Sequence, residues 1–226
     1  MHFHLPKPLH GWRAFAGEVG IIVIGVLIAL TAEQLVEAAH WRSEVRDFRK
    51  AVDHELGRNF GIYATTMQNR ACVQRRLSDL QALLDGSAEG HQPRLRVPIG
   101  RPANYTYYFS VWDNKSAEVT AHLPLDVRIR YAEFYDDFRN ADQVRDRELN
   151  LWRSLSQFEQ PEPFTHDDRM RFRELLTRVV QADVAQRNNY AYEADRLRAA
   201  GIRPITDPYA TRFPNDPSFC QPLLAK

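Results

Sequence analysis

Four side chains have types and spacings that could hold a metal ion. Glu37 and His40 match the Glu-x-x-His spacing that places two ligands on one helical face in di-iron bundles. Such a centre needs a second copy of the motif, and the sequence has none. His54 and Glu55 resemble the start of a zinc-protease helix, but Arg58 occupies the position of the second histidine. We therefore expect no metal site.

Two pairs of neighbouring aspartates could act as an acid and a base, namely Asp136 with Asp137 and Asp167 with Asp168. An arginine lies within two residues of each pair, which is typical of a solvated helix face or a helix start. The sequence also lacks a Gly-x-Ser-x-Gly motif and a glycine-rich phosphate loop. It therefore predicts no catalytic residue, no bound cofactor and no enzymatic activity.

Cys72 and Cys220 are the only cysteines in the chain. An even pair of this kind can form a disulfide in an oxidising compartment. Two unrelated thiols are the alternative, and the bridge is favoured only if this part of the chain is exported.

One segment is apolar enough to leave water. Residues 14–36 are almost wholly apolar, and about 20 such residues cross the hydrocarbon layer of a membrane. The polar exceptions lie near the two ends of the run: Glu18, Thr31, Glu33 and Gln34. We predict a single transmembrane helix over 14–36, retained as a signal anchor after a short tail of residues 1–13. A cleaved export signal is the alternative, but the run is long for one and lacks a good cleavage site.

The charges around this segment leave its orientation open. Lys7 and Arg13 precede it, and four basic residues follow it closely: Arg42, Arg46, Arg49 and Lys50. A count of basic residues alone would keep the large domain in the cytoplasm, but long domains translocate largely regardless of charge. We expect a bacterial inner-membrane protein with most of the chain in the periplasm. Lys and Arg total 30 against 29 Asp and Glu, interspersed along the chain, so nucleic acid is not an expected partner.

Small and acidic residues share one face of the predicted membrane helix: Glu18, Ile22, Gly25, Ala29 and Ala32, with Glu33 at the edge. Gly25 and Ala29 form a small-xxx-small pair, which lets two helix backbones approach closely. We expect this face to pack against transmembrane helices of another subunit, with a homo-oligomer left open. Alternatively, both glutamates lie at headgroup depth, where water reaches them.

Beyond the membrane segment, apolar residues recur at three- and four-residue steps, which predicts helices. No proline interrupts the chain from Trp12 to Leu84, so the membrane helix is expected to continue to Leu84. Gly57 and Gly61 are the expected sites of a kink or break in it.

Capping residues and prolines mark the remaining helices. The expected boundaries are Ser110 to Leu123 for a short helix, Pro124 to about Gln160 for a long one, and Thr165 to Gly201 for the last, which a capping box of Thr165 and Asp168 opens. Residues 37–201 are therefore expected to form an all-α antiparallel bundle of three long helices and a short one. Five prolines in 202–226 predict an irregular C-terminal strap.

Five large aromatic residues lie close together before the short helix: Tyr105, Tyr107, Tyr108, Phe109 and Trp112. Rings of this kind suit two roles, the lid of a helical core or a surface that binds a partner. The sequence leaves both open.

Three segments resemble a family of uncharacterised bacterial single-pass membrane proteins. The first is Gly17-Glu18 followed by Gly25-Val26-Leu27-Ile28-Ala29-Leu30, and the second is Cys72 followed by Arg75-Arg76-Leu77. The third is a short helix that begins with Trp112 and ends at Leu123-Pro124. The resemblance covers most of the chain. It implies a spanning helix followed by a helical soluble domain, and it implies no activity.

These patterns favour a non-catalytic, membrane-anchored helical protein that serves as an accessory or assembly subunit of a larger inner-membrane complex. Its expected partners are membrane lipid and other subunits of that complex. A ligand-sensing helical module outside the cytoplasm is the second interpretation. A membrane-tethered enzyme is the third.

Overall fold

A computed structural model of the chain describes residues 11–88, 93–103, 105–160, 162–206 and 217–225. Within them lie six α-helices and two 3₁₀ turns: α1 Trp12–Gln68, α2 Arg70–Ala88, α3 Ser110–Asp113, α4 Ala117–Ala121, α5 Leu125–Leu155, α6 His166–Ala199, and turns at Ser156–Phe158 and Pro217–Cys220. The described residues contain no strand, only an isolated bridge between Leu95 and Leu224. The all-α prediction is confirmed. Most of the predicted N-terminal tail and the middle of the predicted strap, residues 207–216, lie outside the described ranges.

The chain divides into two compact units. The first consists of Met1–Arg49 together with Ser116–Leu123, and the second of Lys50–Lys115 together with Pro124–Lys226. In the first unit, α1 contains an apolar window with a mean hydropathy of 2.3, none of which is buried by the other described residues. This helix is long and apolar enough to cross a membrane.

In the second unit, α5 and α6 pack antiparallel. Arg196 of α6 contacts Glu133 near the start of α5, and Gln186 contacts Glu148 further along α5. The end of α1 and the start of α2 instead run parallel to α5, because Asp53 meets Tyr131 and Arg70 meets Glu148. The expectation of an antiparallel bundle is therefore corrected for the packing of α1 and α2 against α5. The long connection from α2 to α5 returns the chain to the level of Asp53 before α5 begins, so α5 runs in the same direction as α1.

Local capping chemistry sets the ends of the later helices as expected. The Thr165 side chain accepts from the Asp168 backbone N–H, and the Asp168 carboxylate accepts from the Thr165 N–H. Gly201 follows α6 with a φ of 81°, the left-handed conformation that glycine adopts without strain.

Three of the predicted helices differ from those observed. The helix expected to continue to Leu84 divides at Asn69 into α1 and α2, and α2 ends at Ala88. The predicted helix over 110–123 divides into α3 and α4, and α5 passes into a 3₁₀ turn after Leu155. Ser116 causes the division between α3 and α4, because its side chain accepts from the Val119 N–H and starts a new helix there.

Gly57 and Gly61 do not break α1, which continues to Gln68 and ends at Asn69. The two glycines instead let the C-terminal segment 202–206 lie directly against the helix. The Ile205 N–H donates to the Gly57 carbonyl at 2.9 Å. A Cβ added at Gly61 would lie 1.8 Å from the Ile205 carbonyl oxygen, so only glycine fits this contact. The prediction of a break is therefore corrected, and these glycines instead serve a close approach between two segments.

Gly61→Ala is expected to lower the free energy of unfolding by about 1–3 kcal/mol, because segment 202–206 must move away from α1. The loss should appear despite the roughly 1 kcal/mol that alanine contributes over glycine inside a helix. Thermal unfolding of the full chain in detergent measures it. Gly17→Ala is the matched control, because nothing lies within 4 Å of a Cβ at that position. Equal stability of the two variants would contradict this assignment.

Candidate functional site

The predicted packing face of the membrane helix has no neighbour within the described chain. Its members are all exposed: Glu18, Ile22, Gly25, Ala29, Ala32 and Glu33. A Cβ built at Gly25 meets nothing within 4 Å. The face is therefore free to receive another helix.

Glu37 and His40, the residues of the Glu-x-x-His motif, both contact Trp41 in this structure. The Trp41 Nε1–H donates to the Glu37 carboxylate at 3.4 Å, and the His40 ring lies 5.2 Å from the Trp41 ring. Throughout the described ranges, no group of three His, Cys, Asp or Glu side chains is arranged to hold a metal ion.

Glu55 is buried and holds the start of α3 against α1. Its carboxylate accepts from the Ser110 hydroxyl at 2.9 Å, the Val111 N–H at 3.0 Å and the Tyr135 hydroxyl at 2.7 Å. Burial, followed by the bond to Glu55, raises the pKa of Tyr135 above its ordinary value. One turn further along α1, the Asn59 side chain donates to the Tyr108 carbonyl and accepts from the Tyr108 N–H. These contacts explain why a carboxylate and an amide lie on an otherwise apolar face.

The aromatic cluster lies mainly in the core. Tyr105, Tyr107 and Trp112 are only 4–6% exposed, and Trp112 stacks on Tyr135 with ring centroids 5.3 Å apart. The rings of Tyr108 and Phe109 are half-buried and lie beside guanidinium groups. Cζ of Arg58 is 3.7 Å from the centroid of the Tyr108 ring, and Cζ of Arg139 is 5.2 Å from that of the Phe109 ring. The interpretation of these five residues as a partner surface is therefore replaced by that of a core lid.

Cys72 and Cys220 are joined by a disulfide that ties α2 to the C-terminal turn. Arg76, one turn further along α2, is completely buried and donates to backbone carbonyls on both sides of the bridge. Its acceptors include the carbonyls of Pro98, Ser218 and Phe219, each at 2.9 Å. Burial lowers the pKa of the Arg76 guanidinium below its ordinary value. Sequence reasoning identified the cysteine pair as a candidate and missed the role of Arg76.

A buried ionic cluster connects α2, α5 and α6. Arg70 donates to the Glu148 carboxylate at 2.8 and 3.1 Å, and to the Asp183 carboxylate at 3.1 Å. The three side chains are at most 6% exposed. Burial lowers the pKa of Arg70, but the bonds to Glu148 together with the charges of Glu148 and Asp183 raise it above its ordinary value. Gln186 and Trp152 also donate to Glu148, so the carboxylate is well supplied with donors.

Sequence reasoning missed this cluster, although a signal for it exists. Leu176, Val179, Asp183, Gln186 and Glu193 follow one another at three-, four- and seven-residue steps, so the polar residues occupy positions on the apolar face of α6. Charged residues at such positions indicate buried pairs, since an unpaired buried charge is strongly unfavourable.

A small cavity of about 20 Å³ adjoins the ionic cluster. Three lining residues carry a buried donor atom that has no hydrogen-bond partner among the described residues: Nε of Arg70, Nε of Arg145 and the hydroxyl of Tyr105. This volume suits about one water molecule and is far below the 300–1,000 Å³ of typical ligand sites. The cavity therefore has the properties of a buried water site rather than of a substrate pocket.

Three acids between α5 and α6 share the guanidinium of Arg196, and Glu193 is one of them. Arg196 Nη1 donates to Glu193 at 3.1 Å and makes a short contact with Asp137, while Arg196 Nη2 donates to Glu133 at 2.9 Å. Burial and the neighbouring Asp137 charge raise the pKa of Glu193 to about 7, against the opposing effect of Arg196.

The raised pKa of Glu193 predicts a stability that falls as the pH rises. Below its unfolded pKa of 4.5, Glu193 is protonated in both the folded and the unfolded state. Above its folded pKa of about 7, Glu193 is ionised in both states. Between these limits the folded state binds more protons, so the free energy of unfolding decreases with increasing pH. Glu193→Gln is expected to remove this decrease and to be about 1–3 kcal/mol more stable than the parent chain at pH 8.

Urea unfolding of both chains between about pH 4.5 and 8 measures the difference. Asp195→Asn, which changes an exposed carboxylate on the same helix, should unfold with the pH dependence of the parent chain. The same pH dependence in Glu193→Gln as in the parent chain would contradict the assignment.

The chain matches no family model, no curated protein and no solved structure.

Proposed function

We propose that this chain is a non-catalytic, single-pass membrane protein that serves as an accessory or assembly subunit of a larger bacterial inner-membrane complex. The observation that carries the proposal is the apolar part of α1, which no other described segment of the chain buries. A helix this apolar needs lipid or another helix around it, because the burial of apolar surface is favourable by about 25 cal/mol per Å².

The small-residue face of α1 supports a helix as the partner. Gly25 and Ala29 are exposed and lie one turn apart, so a second helix can approach their backbone closely. Glu18 and Glu33 share this side and favour a partner that carries a hydrogen-bond donor, because a carboxylate in the membrane is strongly unfavourable unless it is paired or hydrated.

The polar clusters of the second unit support a structural role. Glu55, Arg76 and Arg70 are each buried, and each ties two or more segments together. In the described part of the chain, these groups bond to side chains or backbone atoms of neighbouring segments rather than lining a substrate-sized cavity. The disulfide between Cys72 and Cys220 supports a location of the second unit in an oxidising compartment, which for a bacterial inner-membrane protein is the periplasm.

Purification of the full chain in a mild detergent, followed by mass spectrometry, tests the proposal. We expect defined partner subunits to co-purify, and Gly25→Leu to abolish their recovery because the larger side chain separates the helices. Gly20→Leu, on the opposite side of α1, is the matched control and should retain them. Recovery of a lone monomer from the parent chain would contradict the proposal, and recovery of a second copy alone would replace it with a homo-oligomer.

A ligand-sensing module is the second candidate, and one groove favours it. Ile129 and Phe134 of α5 and Ala199 of α6 line an open groove of about 530 Å³ between the two helices, beside Arg196. This volume falls within the range of small-molecule sites. Saturable stabilisation of the parent chain by a small apolar molecule, lost when the exposed Ile129 is changed by Ile129→Asn, would favour this candidate over the first.

A further inference from the structure

Two Trp-Arg pairs flank the apolar segment of α1. Trp12 precedes Arg13, and Trp41 precedes Arg42. The two tryptophans are 29 positions apart, which corresponds to about 43 Å along an α-helix. A membrane with its headgroup layers measures about 40–45 Å, and tryptophan is enriched at both of its interfaces. A span centred midway between the two tryptophans, at Val26 and Leu27, therefore places Trp41 about 22 Å from the membrane centre, in the outer part of one headgroup layer.

A second segment of the chain lies against Trp41. The His122 ring stacks on the Trp41 ring, with centroids 4.3 Å apart and planes inclined by 19°. His122 follows α4 directly, and residues 116–123 belong to the same compact unit as the first part of α1. The depth of Trp41 in the membrane therefore also sets the depth of α4.

We propose that residues 116–122 form a second membrane contact of this protein and lie among phospholipid headgroups beside Trp41. Their exposed side chains suit that layer, because Glu118 and His122 are polar and Ala117 and Ala121 are small. None of these four side chains is large and apolar, so the segment suits the headgroup layer rather than the hydrocarbon. The proposal rests on the proposed membrane anchor and adds a second element that touches the bilayer.

Depth measurements with a fluorescent thiol label test this contact. The native cysteines are bridged, so an introduced cysteine carries the only free thiol among the described residues. Three single variants are compared in nanodiscs of phosphatidylethanolamine and phosphatidylglycerol: Ala121→Cys, Ile28→Cys and Arg49→Cys. Ile28 lies in the apolar segment, and Arg49 lies eight residues beyond Trp41, about 12 Å further along α1.

The expected result is strong quenching of the label at position 121 by a nitroxide attached to the lipid headgroup, with an emission maximum at shorter wavelength than that of the label at 49. The label at 28 should have the shortest wavelength of the three. A label at 121 that behaves like the label at 49, while the label at 28 reports lipid, would overturn the proposal and leave the anchor intact. A label at 28 that reports water would overturn the anchor itself, and the second contact with it.

Discussion

Arg70→Met is expected to lower the free energy of unfolding by about 3–5 kcal/mol, the cost of leaving a buried carboxylate without its cation. Asp183 keeps a second partner, because Arg187 donates to it at 2.9 Å. Among the described residues, Glu148 keeps only the neutral donors of Gln186 and Trp152. The loss of stability should therefore come mainly from the unpaired charge of Glu148. Urea unfolding of the full chain, followed by circular dichroism, measures it.

The double variant Arg70→Met with Glu148→Gln distinguishes this cause from a simple packing defect. A neutral amide at position 148 removes the stranded charge, so most of the lost stability should return. Glu174→Gln combined with Arg70→Met is the control, because Glu174 is exposed and pairs only with Arg178 among the ion pairs observed. No recovery with Glu148→Gln would show that Arg70 stabilises the protein through its volume rather than through its charge.

Removal of the disulfide by the double variant Cys72→Ser with Cys220→Ser is expected to lower the free energy of unfolding by about 5 kcal/mol. The bridge closes a loop with a sequence separation of 148 residues. In the chain-entropy description, a loop of this length restricts the unfolded chain by about that amount. Thermal unfolding of the oxidised parent chain and of the variant measures the difference.

Reduction of the parent chain provides the matched comparison. A thiol reductant should lower the unfolding temperature of the parent chain towards that of the double variant, and it should leave the variant unchanged. Arg76 holds the same C-terminal turn through carbonyl contacts, so the turn should keep part of its protection from proteases in the variant. Equal stability of the variant and the oxidised parent chain would contradict the proposed role of the bridge.

Features that depend on a few neighbouring residues could be predicted from the sequence. The capping box of Thr165 and Asp168, the left-handed Gly201 and the start of α5 after Pro124 each follow from local backbone chemistry. The apolar membrane segment is equally local, because its length and composition alone set its ability to span a bilayer.

Features that depend on distant segments could not be predicted in this way. Gly57 and Gly61 suggest a flexible helix when read alone, and only the presence of Ile205 shows that they accommodate a crossing segment. The parallel course of α1 and α5 likewise depends on where the connection between α2 and α5 leads. The partners of Arg76 are backbone carbonyls, which no pattern of side chains reveals.

The central claim is that α1 is a permanent membrane anchor. Alkaline carbonate extraction of bacterial membranes, followed by the intact mass of the protein carrying a C-terminal tag, tests it most directly. We predict that the protein stays in the membrane pellet with the mass of the uncleaved chain. A shorter polypeptide in the soluble fraction, beginning beyond Ala32, would contradict it.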